Sequence, residues 1–331
     1  MHHKTIAALQ IGSDPAGKAA TLDRILGSEE AIRAAPCDLV MMPEALLGGY
    51  PKGEIFGTRL GYRLPEGRAA FARYFANAVD LDGPEVDALA QLATRTGATL
   101  VVGVIERGGA SLYCTAVFLE PGAGLVAKHR KLTPTGTERL VWAQGDGATM
   151  LVVASGAGRI GAAICWENNM PLFRAAMYAQ RPDIWCASIV DDRDVWQCTM
   201  RHIAHEGRCF VVSACQRQPS PERLGRTVEG WDPARPLING GSVIVGPLGE
   251  VLAGPLFGEE GLIARRSTSR RWSAHAMTSM SSAIMRGPTC SRSRSTSGRA
   301  PACRSAGVSR LRVGATRSRC SPRRPRRAWC R

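Results

Sequence analysis

The chain has 331 residues, of which 44% are hydrophobic, and a formal net charge of +15 at pH 7. This length and apolar content allow one large domain or two small ones with a buried core. The positive excess lies after residue 264, where 18 Arg occur without Lys, Asp or Glu, whereas residues 1–264 have 43 − 18 = 25 Lys and Arg against 28 Asp and Glu. The charge therefore argues against nucleic acid as a partner of the main domain.

Strand-like and helix-like segments alternate along residues 4–264, which predicts an α/β fold with a largely buried sheet core. The predicted elements are, in chain order, strand 4–11, helix 16–35, strand 38–42, helix 83–97, strands 99–106, 111–121 and 124–131, strand 159–165, helix 170–180, strand 183–190, helix 194–207, strand 208–214 and the strand pair 240–254. The apolar runs are all of strand length, so no membrane-spanning helix and no membrane partner are expected.

Cysteine usage indicates a reducing compartment. Seven of the 11 cysteines lie within residues 1–264, at irregular spacings and without a C-x-x-C pair, which argues against a zinc site. Most of the seven occur in apolar strand or helix contexts, where a reduced cysteine packs as a small hydrophobic residue. The N-terminus enters a short strand-like run without an apolar signal region. Together these features predict a cytoplasmic protein.

Three predicted strand ends carry a carboxylate, a cation and a thiol. Glu44 follows the strand in "DLVMMPEALLGGYPKG", Lys131 closes the strand in "LVAKHRKLTPTGTERLVW", and Cys165 ends the strand in "GAAICWENNMP". Taken alone, a glutamate after a strand is more often a solvated loop residue, a lysine in such a cluster is more often a surface cation, and a cysteine at a strand end more often serves only in packing. Ligands of open α/β sheets gather beyond the carboxyl ends of strands, so the joint pattern predicts that the three side chains meet in one site.

The chemistry of these groups points to nucleophilic catalysis by Cys165. A thiol is a weak nucleophile until it loses its proton, which a buried Glu44 would accept. Lys131 would stabilise the negative charge that develops on the attacked substrate. Two histidines lie on a predicted helix, and His129 shares a predicted strand face with Lys131. We therefore prefer the Glu–Lys pair to a histidine as the activating group.

These motifs resemble the nitrilase branch of the carbon–nitrogen hydrolase superfamily. The resemblance covers roughly residues 4–264, and Cys-Trp-Glu is its most discriminating piece. It is carried by the segments "MMPEALLGGYPKG", "AKHRKLTPTGTERLVWAQGDG", "GAAICWENNMPLFRAAMYAQ", "DDRDVWQCTMRHIAHEGRCFVVSACQ" and "GGSVIVGPLGEVLAGP". The resemblance implies a four-layer α-β-β-α sandwich and a homodimer or larger homo-oligomer.

The resemblance also implies a site and a reaction. The implied site residues are Glu44 (general base), Lys131, Cys165 (nucleophile), Glu138 (a second, orienting glutamate), and Trp166 and Tyr50 (both substrate-binding). The implied reaction is hydrolysis of a small-molecule nitrile to a carboxylic acid and ammonia, through a thioimidate and a thioester on the cysteine. No metal or organic cofactor is implied.

Residues 265–331 depart from the family pattern. They hold 18 Arg and 14 Ser in 67 residues and lack apolar periodicity, so we expect a disordered basic tail. An out-of-frame origin explains this composition: residues 277–291, written in one permitted codon series and read from the third base, give "DFDVVGHYARPDVF", which resembles the usual C-terminal segment of nitrilases. We expect a frameshift near codon 265, and exposed apolar surface that weakens assembly or activity.

Other interpretations stay open. An amidase or related carbon–nitrogen hydrolase would use the same Glu-Lys-Cys triad. The protein would alternatively be an inactive product of a frameshifted nitrilase gene. A basic protein that binds nucleic acid has only the Arg-rich tail in its favour.

Overall fold

Two β-sheets lie face to face between layers of helices. Residues 3–268 are the part of the chain that the structure, a computed structural model, describes. The strands are β1 (His3–Gln10), β2 (Leu39–Met41), β3 (Thr58–Arg59), β4 (Tyr62–Arg63), β5 (Thr99–Gly108), β6 (Ser111–Glu120), β7 (Gly124–Arg130), β8 (Val152–Ser155), β9 (Gly158–Ile164), β10 (Ile184–Ile189), β11 (Phe210–Cys215), β12 (Arg217–Gln218), β13 (Ile238–Val245), β14 (Val251–Phe257) and β15 (Gly261–Thr268). The α-helices are α1 (Lys18–Leu26), α2 (Glu29–Ala34), α3 (Pro65–Ala76), α4 (Pro84–Thr96), α5 (Pro171–Ala179) and α6 (Val195–Gly207). Short 3-10 helices occupy Gly136–Leu140, Gly147–Thr149 and Cys165–Asn169.

Each sheet has a parallel centre with antiparallel flanks. The first sheet has the order β15-β1-β2-β5-β6-β7, and the second has β12-β13-β11-β10-β9-β8 with β14 beside β13. Strands β1, β2 and β5 are parallel, as are β9, β10 and β11. Strands β3 and β4 form a separate hairpin. The parallel strands are buried on both faces, as expected for a sheet that helices cover on its outer side.

Side-chain alternation along the strands builds three apolar layers. Along β1, Ile6 faces the core between the two sheets, whereas Ala7 packs with residues of α1, α2 and α4. Along β10, Cys186 faces the same central core, whereas Trp185 packs with residues of α5 and α6. A helix layer therefore covers the outer face of each sheet. This arrangement is a four-layer α-β-β-α sandwich, and it confirms the predicted fold class.

The helix predicted over residues 16–35 is divided into α1 and α2. The hydroxyl of Ser28 donates to the carbonyl of Ile25 at 2.6 Å. Ser28 thus satisfies a backbone acceptor locally, and such bonds compete with continuation of a helix. Ile25 and Ile32 are both buried, so each short helix contributes its own apolar contact to the outer layer.

The first sheet extends past the predicted domain boundary at residue 264. Strand β15 pairs with β1 from Gln10↔Gly261 to His3↔Thr268, so residues 265–268 continue an antiparallel ladder. Residues 269–331, and with them most of the tail and its proposed out-of-frame origin, lie outside the described residues. None of the helices within residues 3–268 combines the length and apolar content that a bilayer crossing requires.

Candidate active site

The stacked sheets bring three strand ends to one buried region. Glu44 lies in the turn after β2, and Lys131 directly follows β7; both strands belong to the first sheet. Cys165 directly follows β9 of the second sheet and opens a 3-10 helix. The side chains of Glu44 and Lys131 are fully buried, and Cys165 is 8% exposed.

Lys131 is hydrogen-bonded to both glutamates of the predicted site. Its Nζ atom donates to Glu44 Oε1 at 2.7 Å and to Glu138 Oε2 at 2.8 Å. Burial, the largest single effect, would lower the pKa of Lys131, but the negative charges around it, that of Glu44 first, together outweigh burial and hold that pKa well above its usual value. Lys131 is therefore a permanent cation, and a buried cation of this kind requires its carboxylate partners.

Glu44 has the environment of a general base that works near neutral pH. Burial raises its pKa to about 7, against the opposing charge of Lys131. Its Oε1 atom accepts from Lys131 and lies 3.6 Å from Cys114 Sγ, a distance compatible with a thiol donor. Among the described residues, no hydrogen bond reaches its buried Oε2 atom. One carboxylate oxygen is thus oriented by the protein, and the other is available to accept a proton.

Cys165 is held as a thiol in a strained backbone conformation. Its φ angle is 50°, in the left-handed region that non-glycine residues rarely adopt. Burial, followed by the negative charge of Glu44, raises the pKa of Cys165 well above its usual value, and Lys131 only partly opposes this effect. A preformed thiolate is therefore disfavoured, and the sulfur needs a base that removes its proton during attack.

Glu138 is oriented by a tyrosine and by a backbone amide. The Tyr50 hydroxyl donates to Glu138 Oε1 at 2.8 Å, and the Thr135 amide donates to Oε2 at 2.6 Å. The Trp142 ring lies 5.7 Å from the Tyr50 ring, and its centre is 5.6 Å from Lys131 Nζ. Glu138 is therefore held in a fixed orientation in which it accepts a hydrogen bond from Lys131.

A cavity of about 550 Å³ opens beside this network. Tyr50 and Glu138 line it, together with apolar side chains that include Phe56, Leu140 and Val228. Its volume is in the usual range for small-molecule sites. Trp166 does not belong to the described lining of this cavity and is 46% exposed at the start of the 3-10 helix. Its substrate-binding role stays a prediction.

Other polar residues that were not among the predicted site residues contact this network or pack beside it. Gln216 Nε2 donates to the backbone carbonyl of Glu44 at 2.7 Å, which fixes the turn after β2. Cys114 contacts the carboxylate of Glu44. Glu167 and His129 are fully buried partners of each other. Glu167 carried a signal in the sequence as the last residue of the Cys-Trp-Glu segment, and His129 carried one through its strand face shared with Lys131.

The site contains no metal-ligand cluster within residues 3–268. In that range, no group of three or more His, Cys, Asp or Glu side chains is placed to share one metal ion. The buried carboxylates bond instead to an ammonium, a hydroxyl and backbone amides. The arrangement is suited to acyl transfer through a thiol, with charge stabilisation by a lysine.

This fold and this site define a class of hydrolase. The chain belongs to the carbon-nitrogen hydrolase family, whose sequence model matches residues 5–274. Within that family its similar relatives are nitrilases, which confirms the predicted branch. It is 50% identical over 260 residues to nitrilase blr3397 of Bradyrhizobium diazoefficiens, covering 78% of this chain and 81% of the relative.

Two further relatives differ in the substrates that their names state. The aliphatic nitrilase of Sinorhizobium fredii is 47% identical over 260 residues, covering 78% of this chain and 84% of the relative. The arylacetonitrilase of Trametes versicolor is 46% identical over 263 residues, covering 74% of this chain and 81% of the relative.

Solved structures of lower identity share the fold. XC1258 from Xanthomonas campestris, a CN-hydrolase superfamily protein, has a TM-score of 0.64 at 22% identity, covering 84% of this chain and 95% of that chain. An amidase from Nesterenkonia sp. has a TM-score of 0.60 at 20% identity, covering 82% of this chain and 92% of that chain.

Proposed function

We propose that this protein is a nitrilase that hydrolyses an organic nitrile to a carboxylic acid and ammonia. The observation that carries the proposal is the Lys131 ammonium, which is buried and hydrogen-bonded to Glu44 and Glu138 beside the Cys165 thiol. The similarity to nitrilases, at 50% and 47% sequence identity, favours a nitrile over an amide as the substrate. The catalytic roles below are part of the proposal.

The first half of the reaction forms a thioimidate. The Cys165 sulfur attacks the nitrile carbon while its proton passes to Glu44, whose pKa of about 7 makes it both an effective base and an effective acid near neutral pH. A lone pair on sulfur forms the new C–S bond, and one π bond of the nitrile opens to a lone pair on nitrogen, which takes up a proton from Glu44. Lys131 and the backbone N–H of Trp166 stabilise the developing negative charge.

The second half consumes two waters. The first water adds to the thioimidate carbon, the C–N bond breaks and ammonia leaves, so that a thioester to Cys165 remains. Glu44 takes a proton from the second water, which attacks the thioester carbon. The C–S bond then breaks, the carboxylic acid leaves, and the sulfur recovers its proton. Nitrile plus two waters thus gives acid plus ammonia.

Ammonia release from a panel of nitriles and their matching amides tests this proposal. The panel includes aliphatic, aromatic and arylacetonitrile substrates. We expect ammonia from nitriles, and Cys165→Ala to abolish it, because the variant removes the nucleophile while it keeps the neighbouring charges. Ammonia from the amides but not from the nitriles would instead favour an amidase that uses the same triad. Loss of ammonia from both, in a folded protein, would favour an inactive product.

We also propose a homodimer or larger assembly in a reducing cytoplasm. Support for the compartment comes from the seven cysteines of residues 3–268, which are all unpaired. Sedimentation at several concentrations tests the assembly.

The out-of-frame interpretation of the tail predicts that resequencing finds an insertion or deletion near codon 265. A continuous reading frame would refute this interpretation.

A further inference from the structure

A single buried carboxylate joins the two chain segments that carry Lys131 and Cys165. Glu167 is fully buried, and its Oε1 atom accepts from the Leu132 amide at 2.7 Å. Its Oε2 atom accepts from the Ile164 amide, also at 2.7 Å. Leu132 is the residue after the lysine, and Ile164 is the residue before the cysteine. Glu167 is thus bonded to both segments at positions adjacent to the reacting groups.

His129 completes this junction from the first sheet. Its Nε2 atom lies 2.9 Å from Glu167 Oε2 and 3.1 Å from Oε1, and its Nδ1 atom lies 3.1 Å from the Thr149 carbonyl oxygen. Both ring nitrogens therefore lie within hydrogen-bonding distance of oxygen atoms, Nε2 of the Glu167 carboxylate and Nδ1 of the Thr149 backbone carbonyl. The imidazole fixes the carboxylate plane, and Phe173 packs against the ring at 5.6 Å.

The junction spans the gap between the two sheets. Strand β7, which ends just before the lysine, belongs to the first sheet, whereas β9, which ends just before the cysteine, belongs to the second. Within the described residues, Glu167 makes every hydrogen bond between segments 124–135 and 158–169. Apolar packing between sheets tolerates small sliding, but a carboxylate held by two amides and an imidazole does not.

We propose that Glu167, oriented by His129, is a positioning residue that sets the placement of the Cys165 sulfur relative to Lys131 and Glu44. This inference rests on the proposed function for the identity of the reacting groups. Its physical reason is that catalysis by a thiol and a general base is sensitive to displacements of about 1 Å, which cost on the order of 100-fold in rate. A residue that fixes this placement acts on the chemical step and not on substrate affinity.

The principal test is Glu167→Gln, which keeps the side-chain volume but presents an NH₂ group to one of the donors. We expect a folded protein whose kcat falls about 100-fold while its KM stays within about threefold of wild type. We also expect Cys165 in the folded variant to react with iodoacetamide about tenfold more slowly at pH 7, because Glu44 no longer faces the sulfur. Mass spectrometry of the peptide that contains Cys165 measures this rate.

Glu106→Gln is the matched control. Like Glu167, Glu106 is a buried glutamate, but it lies in β5 of the first sheet and accepts hydrogen bonds from Thr115, Lys128 and Arg130, outside the catalytic network. We expect it to lower the melting temperature while kcat and the alkylation rate stay within about twofold of wild type. A drop in kcat equal to that of Glu167→Gln would overturn the proposal, because a general loss of stability would then explain both.

Variants at His129 keep the proposal testable even when Glu167→Gln does not fold. His129→Asn retains an N–H donor toward Glu167, whereas His129→Leu does not. The kcat of His129→Asn should therefore be at least tenfold higher than that of His129→Leu. Equal kcat values for these two variants would refute the positioning role. The alkylation experiment uses no nitrile, so it separates the two proposals. A wild-type protein that hydrolyses no nitrile would refute the proposed function. An unchanged alkylation rate in Glu167→Gln would refute the positioning role of Glu167.

Discussion

A single methyl group at Gly103 is expected to displace Glu44, the proposed general base. Gly103 lies in β5, against the turn that carries Glu44, and a Cβ atom there would be 2.1 Å from the Pro43 carbonyl oxygen and 2.7 Å from the Glu44 Cα. Ordinary contact begins at 3.4 Å, so the turn would have to move by 3.4 − 2.1 = 1.3 Å. The turn cannot move freely, because the Leu47 amide bonds to the Gly103 carbonyl and Gln216 holds the Glu44 carbonyl.

The expected result of Gly103→Ala is a loss of about 100-fold in kcat/KM, since a displacement of this size exceeds the 1 Å that already costs about that factor. The overpacking should also cost about 1–3 kcal/mol of the free energy of unfolding. Ammonia release measures the first quantity, and urea denaturation followed by tryptophan fluorescence measures the second. Both are measured at a temperature where the variant is fully folded.

Gly207→Ala is the comparison variant for this prediction. Its Cβ atom would be 2.5 Å from the Tyr178 ring, in the outer helical layer and away from the Glu44 turn. It should destabilise the protein through the same kind of overpacking while it leaves kcat/KM within about threefold of wild type. A folded Gly103→Ala variant with wild-type kcat/KM would refute the reasoning, since the turn would then have absorbed the methyl group without moving the carboxylate.

Further predictions concern the ionisation and orientation of the two glutamates. The base must be deprotonated to act, so kcat/KM should rise with pH through about 7 and fall by about one decade per pH unit below it; a flat profile between pH 5 and 8 would exclude Glu44, whose pKa is about 7, as the base. Cys114→Ala removes a thiol donor that lowers the pKa of Glu44, so this acid limb should move to higher pH, whereas Cys37→Ala, at a buried thiol in the outer layer, should leave it in place. Tyr50→Phe removes a donor to the ionised Glu138 and should lower kcat/KM by about tenfold or more, the effect of losing a hydrogen bond worth about 1.5–3 kcal/mol; an unchanged kcat/KM would mean that the Thr135 amide alone orients the carboxylate.

The local features of the chain follow from sequence patterns alone. Short β-branched and apolar runs form the buried strands, and Pro84 and Gly97 lie at the start and just past the end of α4, where proline and glycine are favoured. The positions of Glu44, Lys131 and Cys165 at strand ends are also local, because each follows directly from where an apolar run stops. The fold class and the branch of the family were accessible for the same reason, since both rest on contiguous motifs.

The contacts that make these residues a site depend on how the two sheets stack. The bond from His129 to Glu167 joins residues 38 positions apart, one in β7 of the first sheet and one just after β9 of the second, and no periodicity of the chain specifies which strand faces which. The bond from Cys114 to Glu44 joins residues 70 positions apart, in β6 and in the turn after β2 of the first sheet, which is likewise not specified by local pattern. The pKa of Glu44 likewise results from burial, which arises only when both sheets close over the carboxylate. Sequence therefore determined which reactive groups stand at strand ends, whereas the tertiary structure decided their distances, their protonation and the buried junction between them, because these are properties of the space between sheets.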